Sequence, residues 1–332
     1  MKSVTKHILE RAKLEELVKA RFPECQVTEV TELTEGMFNS AYMISGSGAL
    51  EQGAVLKIGP APGTKVLTYE KELLKAEVQA YEILRDSGVP MPRVLAADFS
   101  RQLTGSDYFI MSRLEGDAWS NVEKERIVKC RPGLMEELGE VNALIHQKKG
   151  NYFGYLKEDT RYHFDTWYEA FYGMMNDILE DGRRDGHDLP YEEILDAVRR
   201  NRRYLEDVKE PRLVDYDIWA GNVFVKPVGE GLTVSGIIDF ERVYYGDPCA
   251  DFTSAFALFD DVEREPDFIK GYERASGGPL RIGTSERVRM ELYRLYMTVI
   301  LGVETYRYET EIALGRQEHC KKWIRELLGK LG

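Results

Sequence analysis

Leu213-Val214-Asp215-Tyr216-Asp217-Ile218-Trp219-Ala220-Gly221-Asn222-Val223-Phe224-Val225 is followed, after the turn Gly229-Glu230-Gly231, by Ile237-Ile238-Asp239-Phe240. Two short apolar runs bounded by glycines predict a hairpin-like pair of strands. At their mouths stand a carboxylate (Asp217), an amide five residues on (Asn222) and a second carboxylate (Asp239). All three side chains offer oxygen, the ligand atom that Mg²⁺ prefers. Phosphoryl transfer from a nucleotide needs such a set: one carboxylate takes the proton of the attacking hydroxyl, and the other two groups hold the ion that bridges the phosphates.

On these residues the chain resembles the aminoglycoside phosphotransferase family, a branch of the protein-kinase-like fold. That family writes the first motif His-x-Asp-x-x-x-x-Asn and the second Ile-Asp-Trp/Phe; here they stand as Asp215-Tyr216-Asp217 through Asn222, and as Ile238-Asp239-Phe240. The family's His is Asp215. The resemblance implies an α+β fold of two lobes: a small antiparallel-sheet lobe that binds the nucleotide (residues 1–115), and a mostly helical lobe with the catalytic loop and acceptor site (116–332). It makes Asp217 the catalytic base and Asn222 and Asp239 the metal ligands. Trp219-Ala220-Gly221-Asn222 is also similar to the loop of ketosamine kinases.

Upstream, residues 3–21 alternate charge with Val4, Ile8, Leu14, Leu17 and Val18, which predicts an amphipathic helix on the outside of the first lobe. Strands are expected from Val27 and from Ala41, joined by Thr34 to Ser40. In the kinase-like fold this turn covers the nucleotide phosphates, so Asn39 and Ser40 become candidate phosphate donors. Ala54-Val55-Leu56-Lys57-Ile58 is a strand with a lysine in an apolar run, and Thr68 to Arg85 is a helix carrying Glu77. By themselves these read as an edge lysine and a surface glutamate. The resemblance places Lys57 on the phosphates and Glu77 against it, with Glu70 and Glu72 as alternatives; such a charged hydrogen bond contributes about 1.5–3 kcal/mol. Tyr108 to Met111 is the last strand of the lobe, and Ser112 to Gly116 is the expected hinge, where Ser112 and Leu114 would present backbone groups to the adenine.

Beyond about residue 120 the periodicity turns helical: Leu134 to Gln147, ending near a packed His146, then 162–182, 190–208, 281–306 and 311–331. Asp181 to Asp188 is expected to be a polar loop, on the substrate side or simply solvated. Asp247 reads as the cap of a new helix, and the family uses the residue at Asp251 to pin the catalytic loop. The acidic run Asp260-Asp261-Val262-Glu263 lies on the side where the family holds its acceptor. Asp215 and Asp217, two apart in an extended segment, would face the same way roughly 7 Å apart. Their repulsion is then roughly 2 kcal/mol, enough to raise a carboxylate pKa by more than one unit. Arg242 is the candidate cation to offset it.

Composition narrows the partners. Net charge is −12, and residues 1–115 carry 14 basic and 16 acidic side chains against 31 and 41 in the rest. Nucleic acid and anionic membrane are disfavoured, and an acidic second half suits a cationic ligand. Cys25, Cys130, Cys249 and Cys320 show no pairing pattern, so reduced thiols in a cytoplasmic protein are expected. No run reaches membrane-spanning length. The expected activity is therefore an ATP- and Mg²⁺-dependent phosphotransferase acting on a hydroxyl of a small molecule, an aminoglycoside or other amino sugar. GTP is not separated from ATP by the sequence. The alternatives are a ketosamine or sugar-type kinase and a nucleotide-binding pseudokinase. Only twelve residues separate Asp239 from Asp251, too few for the activation segment of a protein kinase.

Overall fold

Alternation along the first strands gives the small lobe two apolar faces. The computed structural model describes residues 4–254 and 258–332. Strands β1 (Val27–Leu33), β2 (Ser40–Gly46), β3 (Ala54–Ile58), β4 (Val94–Asp98) and β5 (Tyr108–Ser112) form an antiparallel sheet in the order β1-β2-β3-β5-β4. Tyr42, Ile44, Leu56, Ile58, Tyr108 and Ile110 face outward and are covered by Leu14, Leu17 and Val18 of helix α1 (Arg11–Arg21). Val55, Phe109 and Met111 face inward onto helix α2 (Leu73–Leu84). That inner cluster runs without interruption into the second lobe.

Two corrections concern helix bounds. The helix expected from residue 3 starts at Arg11, because the preceding segment is tied down as extended chain: Thr5 Oγ1 donates to Met37 O and Leu9 N to the Tyr42 hydroxyl. The helix expected from Leu134 begins ten residues earlier as α3 (Lys124–His146). Its first turns bury nothing, so they leave no apolar stripe in the sequence.

After β5, strand β6 (Asp117–Ala118) joins a second sheet with the predicted hairpin of β9 (Val223–Val228) and β10 (Gly231–Ile237). A third sheet pairs β11 (Tyr244–Gly246) with both β7 (Gly154–Tyr155) and β8 (Arg212–Val214). The strand entering the catalytic loop is thus paired with the strand leaving the Asp239 turn. The other helices are α4 (Trp167–Arg184), α5 (Tyr191–Arg200), α6 (Arg202–Leu205), α7 (Asp251–Ser254), α8 (Pro266–Ser276), α9 (Thr284–Val303) and α10 (Thr310–Leu331). Asp181 to Arg184 belong to α4, so the expected loop is shorter, and Asp181 is buried inside the helix. Helices α3 and α8 cross at Gly139 and Gly271, where a Cβ would lie 2.0 and 1.8 Å from the backbone of the other helix. Among the described residues no helix is long and apolar enough to cross a membrane.

Candidate active site

Leu56 and Ile58 point outward, so Lys57 between them must point inward, toward α2 and the cleft. Its Nζ lies 2.7 Å from Glu77 Oε2 and 3.5 Å from Glu241 Oε2, and it also donates to Asp239. Carboxylate oxygens of Glu77, Asp239 and Glu241 lie within 4.8 Å of one another. One ammonium cannot balance three carboxylates in a dry site. Burial pushes Glu77 up to about 7, against the pull of Lys57. Burial, then the Asp239 charge, pushes Glu241 well above the ordinary range. Burial works against the Lys57 ammonium, but Asp239 and Glu77 outweigh it and hold it well above the usual value. The lysine is thereby favoured in its charged form, and the neutral forms of Glu77 and Glu241 are favoured beside it.

The catalytic loop is pinned from below. Asp251 accepts from the backbone N–H of Tyr216 (2.6 Å) and of Asp215 (3.2 Å), from Asn142 Nδ2 (3.1 Å), and shares a 2.9 Å hydrogen bond with His146 Nε2. These bonds hold Tyr216 at φ 63°, a left-handed conformation that costs a tyrosine of order 1–3 kcal/mol. Asp239 is left-handed as well, at φ 72°. Asn222 Nδ2 donates to Asp217 O (3.0 Å) and Oδ2 (3.3 Å), which leaves the amide oxygen of Asn222 as an acceptor. Ile238 N donates to Asn222 O at 3.0 Å, so Asp239 sits beside the pair. Burial raises the Asp217 carboxyl to about 7; Arg242 pulls it down and Asp239 pushes it up. Its side chain is 22% exposed, toward the cleft.

The expected Asp215–Arg242 pair does not form. With Tyr216 left-handed, the segment is not a regular strand, and the turn Phe240–Arg242 carries the guanidinium past Asp215. Arg242 Nε stands 3.8 Å from Asp217 Oδ2, and its Nη2 lies 3.2 Å from Glu304 Oε2. Asp215 is 1% exposed and accepts only from Asp217 N, at 3.3 Å. Burial, then Asp251 and Asp217, holds its carboxyl well above the usual range.

The remaining expected residues divide. Asn39 Nδ2 donates to Glu241 Oε2 at 2.8 Å, so it reaches the site through a carboxylate, while Asn39 Oδ1 and Ser40 Oγ are buried without partners. The Ser112 N–H is spent on Arg93 O (2.8 Å), and the Leu114 side chain lies against Gly236. Much of the acidic run is already engaged. Glu263 is paired with Arg287, and Asp261 caps its own turn and lies 3.6 Å from Arg264. A water-sized internal void behind Arg242 is lined by Tyr69, Tyr155, Lys157, Tyr216, Glu241, Arg242 and Tyr296. Carboxylates at this end already hold cations: Glu70 pairs with Arg307, Glu304 with Arg242, Asp181 with Arg184 (2.7 Å) and Asp185 with Lys65 (2.7 Å).

Sequence reasoning missed Glu241, Tyr69, Glu304 and Arg307. Glu241, two residues from Asp239, could have been found by asking what else the turn carries. The other three come from a segment before α2 and from the end of α9, with no local pattern to mark them.

A model of the phosphotransferase enzyme family matches residues 29–292. Among solved structures, a thermostable mutant of aminoglycoside phosphotransferase APH(4)-Ia, in ternary complex with AMP-PNP and hygromycin B, superposes with TM-score 0.65 at 16% identity, covering 95% of this chain and 98% of that one. A candidate fructosamine-3-kinase from Thermobifida fusca YX-ER1 gives 0.66 at 18% identity, with 95% and 98% covered. A candidate aminoglycoside phosphotransferase from Ralstonia eutropha JMP134 gives 0.63 at 14% identity, with 97% and 98% covered. At these identities the likeness speaks for the two-lobed fold alone.

Proposed function

The chain belongs to the phosphotransferase enzyme family, whose model spans residues 29–292, and from that premise we propose that it transfers the γ-phosphate of ATP to a hydroxyl of a small molecule with Mg²⁺ bound. The observation that carries this reading is the contact of Asp217 with Asn222 at 3.3 Å beside the Lys57–Glu77–Asp239 cluster. Residues 1–115 then bind the nucleotide, and 116–332 carry the catalytic loop and the acceptor.

Asp217 orients the acceptor hydroxyl and takes its proton; a carboxyl near neutrality is well matched to that task. Lys57 turns from its carboxylates to the phosphates. Glu77, the most deeply buried of the three, keeps the ammonium in place. Asn222 offers an amide oxygen and Asp239 a carboxylate, a donor set that fits Mg²⁺, and Glu241 lies within reach of the same point. When bound, the ion neutralises charge on the phosphates. Leu114 is the better hinge candidate, because the Ser112 amide is already used.

Two acceptor classes remain. An aminoglycoside needs unpaired carboxylates to receive its ammonium groups. Glu304 and Glu70 at this end are already paired with arginines. The second reading is a ketosamine or sugar hydroxyl.

An ADP-release screen with MgATP and MgGTP over aminoglycosides, amino sugars, neutral sugars and glycated amines tests the function. Turnover with a hydroxyl acceptor is expected. Asp217→Asn should lower kcat by about 10²–10⁴-fold while nucleotide affinity stays within a few-fold. Unchanged turnover in that variant would remove the assigned base, and an inert wild type across the panel would leave a nucleotide-binding pseudokinase.

A further inference from the structure

Helix α9 ends at Val303, eleven residues past the last position of the family match, and the turn that follows it is buried. Glu304 in that turn is 3% exposed, and a single oxygen, Oε2, meets three donors. They are the Tyr69 hydroxyl at 3.0 Å, Arg242 Nη2 at 3.2 Å and Arg307 Nη2 at 3.4 Å. Each donor comes from a different part of the molecule. Tyr69 belongs to the small lobe's approach to α2, Arg242 to the turn after Asp239, and Arg307 to the same turn as Glu304.

Arg242 is the member that touches the chemistry. Its Nε is buried without a hydrogen-bond partner and stands 3.8 Å from Asp217 Oδ2. Its Nη1 meets only the Met297 sulfur, at 3.3 Å, a weak acceptor. Among the described residues Glu304 is therefore the charged group within hydrogen-bond reach that fixes the plane of the guanidinium from behind. We propose that Glu304 is a positioning residue for phosphoryl transfer: it holds Arg242 against Asp217 and, through Tyr69, makes that hold depend on the two lobes being closed. The inference rests on Asp217 being the base. Its physical content is that one oxygen serves both duties. If the small lobe lifts, Tyr69 leaves Glu304, and the carboxylate is freer to swing toward Arg307 and away from Arg242. Closure and alignment of the base are then one event, which suits a reaction that depends on positioning.

A buried carboxylate between two arginines can also be only structural, and the test must separate the two. The probes are MgADP alone and MgADP with aluminium fluoride, which imitates the phosphoryl group in flight and binds more tightly where the site is aligned. In Glu304→Gln the preference for the fluoride complex should fall at least about tenfold, with MgADP affinity within about threefold of wild type. Glu304→Asp should restore part of the preference. Tyr69→Phe, a milder change, should lower it a few-fold in the wild-type background and not at all beside Glu304→Gln. Equal weakening of both ligands, or a lower melting temperature with the preference intact, overturns the proposal. A wild type that shows no preference, or an Asp217→Asn enzyme that keeps its turnover, overturns the site assignment itself. A normal Asp217→Asn loss with an unaffected Glu304→Gln sinks this inference alone.

Discussion

Two charged clusters flank Asp217, and they differ in what their cations can do. On one side Lys57 serves Glu77, Asp239 and Glu241; on the other Arg242 and Arg307 serve Asp217, Glu304 and Glu70. A lysine ammonium is a compact charge on a flexible stem and can trade one partner for another, whereas a guanidinium is a planar fork that holds its partners in fixed directions. Carboxyls are raised on both sides, Glu77 and Glu241 beside the lysine and Asp217 beside Arg242. The first cluster is suited to exchange, with phosphates replacing carboxylates. The second is suited to holding, with both lobes gripping one set of bonds.

The largest expected effect falls on the holding side. Arg307→Ala leaves Glu70 without charge compensation in the interior and should cost about 3–5 kcal/mol in urea unfolding. Arg307→Met combined with Glu70→Leu should recover much of that. Lys57→Ala should instead spare stability, because its carboxylates can take up protons, while lowering kcat by about 10²–10³-fold. Equal losses of stability in Arg307→Ala and Lys57→Ala would erase the distinction.

A smaller effect sharpens it through pH. Asp215, Asp217 and Glu77 all have folded pKa values above their unfolded ones, so the folded chain binds more protons. Stability of the nucleotide-free protein should fall as pH rises from about 4 through about 7, by up to about 1.4 kcal/mol per pH unit for each group. Asp215→Asn removes one such group. Its urea midpoint should drop less than the wild type's between pH 5 and pH 8; an equal drop would mean that Asp215 is ionised in the fold. The smallest change is expected from Thr68→Val, which deletes the 2.9 Å bond to Asp181 across the lobes and should cost about 0.5–1.5 kcal/mol.

Lys57, Glu77 and Asp239 of the exchanging cluster were legible in the sequence, whereas Glu241 and the Glu304–Arg307 part of the holding cluster were not. Lys57 lies in a strand and Glu77 in the next helix; Asp217 and Asn222 share one loop, and Asp239 ends the hairpin that follows it. Strand alternation, helix period and turn residues place the elements, and the family resemblance picks out these side chains on them. Glu304 stands 62 residues from Arg242 and 235 from Tyr69, in a buried turn that no periodicity marks. The mistaken Asp215–Arg242 pair has a local cause: an i, i+2 argument holds only for regular extended backbone, and Tyr216 leaves it. The acidic run from Asp260 shows a different limit, since composition shows charge but not which arginines will take it up.

The pairing of β8 with β11 has a last consequence. Tyr244 lies opposite Val214 and Gly246 opposite Arg212, so the entry to the Asp217 loop and the exit from the Asp239 turn are stitched together only a few residues from either carboxylate. A kinase that is switched on by modification has slack in this stretch, which a new charge can reel in. Here the slack has been sewn into a sheet.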